Sequence, residues 1–345
     1  MEPNFLPTDR DYFRMGCKAY ITGTGSYLPE KVLTNADLEE LVETSDEWIV
    51  SRTGIRERRI AGADEYPSTM GAKAAVKAMA DAGISAEQVD YILVATLTPD
   101  YIFPSTACLI QKEIGAKNAA ASDLQAACTG YLYALSMAKA FIESGLYKTV
   151  LVIASEKLSA ITDYKDRSTC IIFGDGAAAC VVSSEGNAKL ALESVRLGAD
   201  GEFAQLIIQP GGGSRSPATL ETVEQGQHYI KMAGNEVFKH AVRRMESACK
   251  ECLDLAGVSE QDISWLVPHQ ANVRIIDAMG KRFEHLPSDR IYKTLHKYGN
   301  TSASSVGIAL DELLKSNLTK PGQQILLTAF GGGLTWGAAL LKVIS

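Results

Sequence analysis

One passage of the chain recurs about half a chain length later, and this repeat limits the possible folds more than any other feature. Residues 82–96 (AGISAEQVDYILVAT) and 256–269 (AGVSEQDISWLVPH) match almost position by position in residue type once one gap is allowed. A second pair, FGDGA at 173–177 and FGGGL at 330–334, precedes small-residue segments. Two matches separated by about 160–175 residues indicate an internal duplication.

Strand-like and helix-like segments alternate in both copies, which predicts an α/β fold built from two βαβαβ-type halves. The boundary is expected near residues 184–187, giving an N-terminal half over 17–186 and a C-terminal half over 187–345. Residues 1–16 precede the first predicted strand, and we expect this N-terminal extension to be mobile.

Charge and composition narrow the possible partners. The formal net charge is −7, which argues against general nucleic-acid binding. No apolar run approaches the ~20 residues that span a bilayer, and the polar N-terminus has no secretory signal core. Seven cysteines are an odd number without framework spacing, which is typical of a reducing compartment. We therefore expect a cytoplasmic protein without nucleic-acid or membrane partners.

Cys128 lies at a predicted junction between a strand and a helix. An apolar strand begins at Ala120, and a helical pattern follows that ends at Gly145. A thiol at the start of a helix feels the positive end of the helix dipole, which favours the thiolate and a lowered pKa. The alternative is an ordinary buried structural cysteine.

Two further polar residues occupy comparable places in the second half. His269 follows a predicted strand, and Asn300 precedes a predicted helix over 306–314. Ligands of layered α/β proteins collect at the carboxyl ends of strands, so we expect both side chains to lie near Cys128, with Asn300 facing it across a pseudo-two-fold axis. The alternative for His269 is a core histidine whose ring is hydrogen-bonded to a backbone carbonyl.

Seven motifs, which stand in one order along the chain, point to a family. They are SDEWIVSRTGIRER (45–58), DLQAACTG (123–130), DRSTCIIFGDGA (166–177), AGNEVFK (233–239), WLVPHQANVR (265–274), YGNTSASS (298–305) and FGGGLTWGAAL (330–340). Together they resemble β-ketoacyl-acyl-carrier-protein synthase III, a condensing enzyme with a thiolase-like fold in α-β-α-β-α layers. The resemblance covers residues 17–345. It departs from the common pattern at Ser168, where many relatives have Gly, and at Leu334, where Phe is common.

The resemblance implies a catalytic triad of Cys128, His269 and Asn300. Cys128 takes an acyl group from a thioester, and the backbone N–H groups of Cys128 and Gly332 form the oxyanion hole. His269 and Asn300 then donate hydrogen bonds to the enolate that forms when a malonyl thioester loses carbon dioxide. Asn300 distinguishes this pattern from that of chain-elongation synthases, which use a second histidine, and of degradative thiolases, which use a second cysteine.

The same resemblance assigns binding roles. Residues implied to contact coenzyme A or its pantetheine arm are Thr44, Trp48, Arg52, Arg167, Asn235, Phe238 and Asn272. Trp48 and Arg167 would sandwich the adenine. Phe103 would reach across a homodimer interface to the partner's acyl pocket; the alternative is a core residue of its own subunit.

An acidic carrier protein requires a basic docking patch. Residues expected to contact it are Gln270, Ala271, Asn272, Val273, Arg274, Lys239, Lys281 and Arg282. Arg274, Lys281 and Arg282 have helical spacing on one predicted helix, and Lys239 and Arg243 on another; both stripes also fit solvated faces.

The favoured function is an acyltransferase that condenses acetyl-coenzyme A, or another short acyl-coenzyme A, with malonyl-acyl carrier protein to start fatty-acid synthesis. The alternatives are a related condensing or acyl-transfer enzyme of secondary metabolism with another starter, and a non-enzymatic relative. No cofactor or metal is expected beyond the thioester substrates. Cys249 and Cys252 form a lone C-x-x-C inside a helical pattern, which we interpret as structural.

Overall fold

The computed structural model describes residues 17–345, so the expectation of a mobile extension over 1–16 lies outside the described residues. The first half contains these helices and strands: β1 Tyr20–Tyr27, β2 Lys31–Thr34, α1 Asn35–Glu39, α2 Asp46–Thr53, β3 Glu57–Ile60, α3 Pro67–Ala82, β4 Tyr91–Ala95, α4 Thr106–Ile114, β5 Ala120–Leu124, α5 Gly130–Glu143, β6 Thr149–Glu156 and β7 Gly176–Ser183.

The second half has a similar order of elements. They are β8 Leu190–Ala199, β9 Ile207–Ile208, α6 Leu220–Glu224, β10 Lys231–Met232, α7 Gly234–Ala256, β11 Ile263–Pro268, α8 Val273–Gly280, α9 Leu295–Tyr298, α10 Ser304–Lys315, β12 Gln324–Gly331 and β13 Thr335–Val343. The predicted helix over 68–82 and the strand over 91–96 match α3 and β4 within one residue, while α10 extends beyond the predicted 306–314 at both ends.

The sheet topology repeats the sequence duplication. Nine strands pair in the order β11-β12-β13-β8-β1-β7-β6-β4-β5. In the first half β4 is parallel to β6, β6 is antiparallel to β7, and β7 is antiparallel to β1. The second half repeats this pattern: β11 is parallel to β12, β12 is antiparallel to β13, and β13 is antiparallel to β8. The halves join through a two-residue pairing of β1 with β8. We propose that the boundary lies in the connection 184–189 between β7 and β8.

Three buried clusters show how the layers stack. One contains residues of α5 and α10 together with strand residues from both halves, so these helices lie between the two halves of the sheet. A second joins α7 and α8 to the other face of β11, β12 and β13. A third joins α3 and α4 to the other face of β4, β6 and β7. The order is therefore helix, sheet, helix, sheet, helix, as expected.

One local expectation is wrong. The helix that carries Arg274 ends at Gly280, with Lys281 at its C-cap, so Arg282 lies beyond it. In the basic segment 51–59, the side chain of Arg58 is buried, at 0% exposure. Its guanidinium donates to the side chain of Asn35 and to the carbonyl of Ile171 at 2.8 Å. Arg58 thus fixes the segment before Phe173, which forms a β-bridge with Asn300.

Cys249 and Cys252 are both buried within α7. Across residues 17–345, the structure contains no group of three or more His, Cys, Asp or Glu side chains arranged to hold a metal ion. Among the helices of this same region, none is long and apolar enough to cross a membrane.

Candidate active site

Cys128 lies in a tight turn that joins β5 to α5. Residues 127–129 form one turn of 3-10 helix, in which Ala127 has a φ of 44°, and α5 begins at Gly130. A Cβ atom added to Gly130 would lie 2.9 Å from the Cβ of Ala95 on β4. Glycine therefore allows the helix to start against the sheet. The turn presents the Cys128 side chain to a small cavity.

That cavity brings the three predicted catalytic residues together. It has a volume of about 60 Å³, and Cys128, His269 and Asn300 line it with Ser302 and Gly332. His269 immediately follows β11, and Asn300 precedes α10 by four residues. Asn300 thus lies on the loop that enters α10 and precedes that helix, as predicted. The remaining walls are largely apolar.

His269 is held as a neutral ring with one nitrogen committed. Burial lowers the pKa of His269 to about 4. Its Nδ1 lies 2.6 Å from the hydroxyl of Ser305, which also accepts a 3.4 Å hydrogen bond from the Gln270 N–H. The arrangement that leaves a donor at the cavity is the one in which the Ser305 hydroxyl donates to Nδ1. Nε2 then carries the ring proton and can donate.

The side chain of Asn300 is also held so that a donor remains available. Its side-chain oxygen accepts a 2.8 Å hydrogen bond from the Ser302 N–H, and its backbone N–H donates to Ile172 at 2.9 Å. With the oxygen occupied, the side-chain amide nitrogen remains as the donor. Both His269 and Asn300 can therefore offer uncharged N–H groups.

The expectation of a lowered pKa at Cys128 is wrong. Burial raises the pKa of the Cys128 thiol to about 12, and the Glu156 carboxylate adds to the rise, while Ser302 opposes it. Desolvation of a thiolate outweighs the helix dipole because the surroundings are largely apolar. Cys128 is therefore a thiol at neutral pH.

Gly331 is the glycine that allows the end of β12 to approach Cys128. A Cβ atom at Gly331 would lie 2.7 Å from the Cys128 nitrogen, whereas one at Gly332 would be 3.4 Å from the carbonyl of Ile207. The family resemblance points only to Gly332, so Gly331 is an additional residue of the site, and the run of three glycines at 331–333 is its signal in the sequence. The contact brings the backbone of residues 331 and 332 beside the turn of Cys128.

A long groove leads from the surface to the cavity. It has a volume of about 730 Å³. Residues that line both the groove and the cavity are Met232, Val237, Ala271, Ile275 and Asn300. Predicted ligand-binding residues along the groove are Trp48, Arg52, Asn235, Phe238 and Asn272, with Lys239 and Arg274 of the predicted docking patch. The groove therefore connects most of the predicted binding residues to the triad.

Trp48 and Arg167 stack directly on each other. The guanidinium carbon of Arg167 is 5.0 Å from the centre of the Trp48 ring, and that of Arg52 is 5.5 Å away. Arg167 also donates to the carbonyl of Glu43 at 2.9 Å. Thr44 follows Glu43 and lies outside the residues that line the groove, with a buried hydroxyl oxygen that has no partner within the described chain.

The predicted docking residues separate into different environments. Gln270 is 1% exposed, and its amide bonds to the backbone of Pro268, Tyr292 and Thr294. The expectation that Gln270 contacts a carrier protein is therefore wrong, because Gln270 is a buried link between loops. Val273 packs on Gly54 at the end of α2.

The predicted basic residues do not form one continuous stripe. Arg274 lies at the groove, 5.4 Å above the Phe238 ring. Lys239 pairs with Glu236 at 2.8 Å. Arg282 pairs with Glu246 at 3.3 Å and lines a separate cavity with it. Of these residues, Arg274 is the cation that lies at the groove without a carboxylate partner in the described chain.

Phe103 is not a core residue of its own subunit, since 84% of it is exposed. Tyr101 and Ile102 beside it are also exposed, at 60% and 86%. A second cavity, of about 410 Å³, lies on the other side of the Cys128 turn, and Ala126, Ala127 and Gly332 are among its lining residues.

Sequence reasoning also missed three polar residues. Ser305 holds His269, and Ser302 and Glu156 lie behind Cys128. Both serines were visible in the YGNTSASS motif, but only the fold brings Glu156, at the end of β6, to the same place.

Comparison with known proteins agrees with the motifs. Residues 122–201 match the family described as 3-Oxoacyl-[acyl-carrier-protein (ACP)] synthase III, and residues 253–343 match the family described as its C terminal. A relative from Chlamydia pneumoniae named beta-ketoacyl-[acyl-carrier-protein] synthase III is 59% identical, covering 95% of this chain and 97% of the relative.

Two solved structures are similar over nearly the whole chain. A 3-oxoacyl-[acyl-carrier-protein] synthase III from Aquifex aeolicus is 48% identical with a TM-score of 0.86, covering 94% of this chain and 99% of that one. The priming β-ketosynthase of a polyketide biosynthetic pathway is 34% identical with a TM-score of 0.87, covering 98% and 99%. These likenesses confirm the predicted α/β thiolase-like fold and the predicted family. The chain therefore belongs to the β-ketoacyl-acyl-carrier-protein synthase III family of acyltransferases.

Proposed function

We propose that this protein condenses acetyl-coenzyme A, or another short acyl-coenzyme A, with malonyl-acyl carrier protein to give a 3-ketoacyl-acyl carrier protein. This is the first condensation of type II fatty-acid synthesis. The observation that carries the proposal is the convergence of Cys128, His269 and Asn300 on one cavity at the inner end of a long groove.

The first half-reaction is transfer of the acyl group to Cys128. The sulfur attacks the thioester carbonyl, the carbon–sulfur bond to coenzyme A breaks, and an acyl-cysteine remains. The N–H groups of Cys128 and Gly332 are our candidates for the oxyanion hole. The close packing of Gly331 on the Cys128 nitrogen supports this, because it brings the two backbone segments together.

The second half-reaction needs stabilisation of an enolate. Loss of carbon dioxide from the malonyl thioester leaves negative charge on the thioester oxygen. Neutral N–H donors at His269 Nε2 and Asn300 Nδ2 suit that charge, because they stabilise it without themselves losing a proton. The enolate carbon then attacks the acyl group on Cys128, and the thiolate leaves.

The groove suits a long, flexible thioester arm ending in a nucleotide. The groove is lined by the aromatic ring of Trp48, which suits adenine stacking, and by the cations Arg52 and Arg274, which suit phosphate binding. Because Arg167 already stacks on Trp48, we expect the two side chains to separate when a base enters between them. Asn235, Phe238 and Asn272 would line the arm, and Thr44 would act at the rim.

The proposed partner is an acidic carrier protein, which delivers the malonyl group to the same groove. We place its docking contact at Arg274, supported by Lys239, Ala271 and Asn272, all of which line the groove. Lys281 and Arg282 lie farther along the chain and would act through longer-range attraction.

We also propose a cytoplasmic homodimer. The exposed Phe103 and Ile102 form an apolar surface beside α4 that suits a second copy of the chain. β5 is the terminal strand of the sheet, and an open strand edge favours pairing with another chain. Phe103 of one subunit would then close the partner's cavity beside Cys128.

A secondary-metabolism condensing enzyme is the less favoured alternative. The chain is 34% identical to the polyketide priming synthase, against 59% to the Chlamydia pneumoniae synthase III. Ser168, one of the departures from the family pattern, lines the groove, whereas Leu334 is fully buried.

Intact-mass spectrometry after incubation with a panel of acyl-coenzyme A thioesters tests the proposal. We expect the wild-type chain and Cys108→Ala, which removes an exposed cysteine, to gain one acyl group, with the short starters fastest. Cys128→Ala should gain none. His269→Ala and Asn300→Ala should acylate but fail to decarboxylate malonyl thioester. Acylation of Cys128→Ala would refute the assignment of the nucleophile, and preference for a bulky starter would favour the alternative function.

A further inference from the structure

Glu156 is a fully buried carboxylate that the triad does not account for. It ends β6, is 0% exposed, and lies behind the Cys128 turn. It accepts hydrogen bonds from the Thr98 hydroxyl at 2.6 Å and from the Leu97 N–H at 3.1 Å. No cation pairs with it in the described chain: the neighbouring Lys157 turns away, donating to the carbonyls of Gly62 and Glu65.

Ser302 lies between this carboxylate and the nucleophile. It is 1% exposed, and its φ of 51° is held by the hydrogen bond from its N–H to the side chain of Asn300. Its hydroxyl oxygen is buried without a hydrogen-bond partner in the described chain, at the cavity that Ser302 lines with Cys128. Ser302 also lowers the pKa of both the Cys128 thiol and Glu156. The hydroxyl is therefore free to turn from one to the other.

We propose that the Ser302 hydroxyl and Glu156 take up the thiol proton of Cys128 during acylation, an inference that rests on the proposed function. As the sulfur–acyl bond forms, the S–H proton passes to the Ser302 oxygen while the hydroxyl proton passes to Glu156. The carbon–sulfur bond to coenzyme A breaks, and the departing thiolate takes a proton from solvent. After condensation Cys128 leaves as a thiolate and recovers its proton from Glu156 by the same route.

The alternative base at the cavity is weaker. Burial raises the pKa of Glu156 to about 7, whereas burial lowers that of His269 to about 4. A base whose pKa is near the working pH transfers protons more effectively. Transfer also relieves a repulsion, because a neutral Glu156 no longer raises the pKa of the Cys128 thiol. Ser302 lines the same cavity as the reacting sulfur, and Glu156 would act through the Ser302 hydroxyl as a positioning residue.

Other groups around Glu156 do not replace this role. Thr96 and Thr98 face it from the segment after β4, and Asn300 faces the cavity from the loop before α10. Asp175, just before β7, is a second buried carboxylate, but it bonds to Ser159 and to the Ala61 N–H. Asp175 therefore offers a matched control outside the active-site cavity.

Glu156→Gln and Ser302→Gly test the proposal, with Asp175→Asn as the control. Glycine keeps the positive φ accessible at 302 while removing the hydroxyl. The rate of acyl-enzyme formation from saturating acetyl-coenzyme A is measured by rapid quench and mass spectrometry between pH 5 and 9. Circular dichroism and thermal melting identify variants that fail to fold.

The wild-type rate should rise with pH through an apparent pKa near 7, since Glu156 must be ionised to accept the proton. Folded Glu156→Gln and Ser302→Gly should lose that inflection and acylate roughly 100-fold more slowly, with little change in KM. Asp175→Asn should keep the inflection.

If folded Glu156→Gln and Ser302→Gly acylate at the wild-type rate and with the wild-type pH profile, the inference is overturned, while Cys128 stays the nucleophile. If Glu156→Gln does not fold, Ser302→Gly decides. Failure of the wild type itself to acylate would instead overturn the proposed function.

Discussion

Gly331→Ala is the substitution whose effect follows most directly from the packing around the nucleophile. The added Cβ would lie 2.7 Å from the Cys128 nitrogen and 3.2 Å from its Cα. Ordinary contacts begin at 3.4 Å, so the end of β12 and the Cys128 turn must separate by roughly 0.7 Å to relieve the overpacking. Both segments are backbone, and neither can rotate away as a side chain would.

The displacement should cost both rate and stability. Misplacing reacting groups by about 1 Å lowers rates by around 100-fold, so we expect a loss of roughly 30- to 100-fold in acylation of Cys128. This corresponds to about 2–3 kcal/mol in the barrier. Overpacking should also reduce the free energy of unfolding by about 1–3 kcal/mol.

Single-turnover acylation by acetyl-coenzyme A measures the first effect, and urea denaturation measures the second. Gly332→Ala is the matched comparison within the same motif, because its Cβ would meet the Ile207 carbonyl at an ordinary 3.4 Å; its loss should stay below about tenfold. Gly201→Ala is the control for a glycine-to-alanine change without a packing conflict, because the space around its Cβ is open. Acylation by folded Gly331→Ala within threefold of wild type would show that this contact does not position Cys128.

Four other predictions concern charge and binding. Between about pH 6.5 and 4 the unfolded chain protonates His269 while the folded chain does not, because burial holds the folded pKa at about 4. The wild type should therefore lose up to about 3 kcal/mol of its free energy of unfolding as the pH falls through this range, and His269→Asn should remove that loss. Identical pH dependence of the two proteins in urea titrations would contradict this. For Glu156 the pH dependence is reversed, because burial raises its folded pKa to about 7. The free energy of unfolding of the wild type should therefore fall as the pH rises from about 4.5 to 7, and Glu156→Gln should remove that fall. Arg274→Glu should raise the KM for malonyl-acyl carrier protein roughly 3- to 10-fold and flatten the salt dependence of that KM, while acylation by acetyl-coenzyme A stays unchanged. Arg243→Glu makes the same charge change away from the groove and should leave both the KM and its salt dependence unchanged. Equal damage to both half-reactions would place Arg274 in the shared channel instead. Trp48→Ala should raise KM for acetyl-coenzyme A about tenfold through lost stacking without slowing alkylation of Cys128 by iodoacetamide, and an unchanged KM would remove Trp48 from the binding site.

The absence of a carboxylate at Asn300 and of a charge on His269 has a common physical basis. An apolar cavity penalises any fixed charge in the resting state, yet charge must appear there briefly in both half-reactions. Neutral donors meet this requirement because they stabilise the transient anion and cost little before it forms. The high pKa of the resting Cys128 thiol follows from the same apolar surroundings.

Local pattern and repetition in the sequence were sufficient to predict the fold class, whereas the family motifs were needed to favour Cys128 as the nucleophile over a structural cysteine. The repeat of 82–96 in 256–269 predicted two related halves, and the sheet topology shows them. The position of Cys128 between a strand and a helix followed from residue period and glycine placement, which depend on neighbours along the chain. His269 and Asn300 were found because strand ends in such sheets converge on one edge.

Only the tertiary structure decided the electrostatics and the supporting residues. The thiol pKa depends on how completely distant segments exclude water from Cys128, and no local pattern reports that. Glu156 is 28 residues away in the chain, and Ser302 is in the other half, so their meeting behind the sulfur requires the folded sheet. Gln270 and Arg58 look like surface residues in sequence, but both are buried, and their nitrogens donate to backbone carbonyls of distant segments that only the fold brings near.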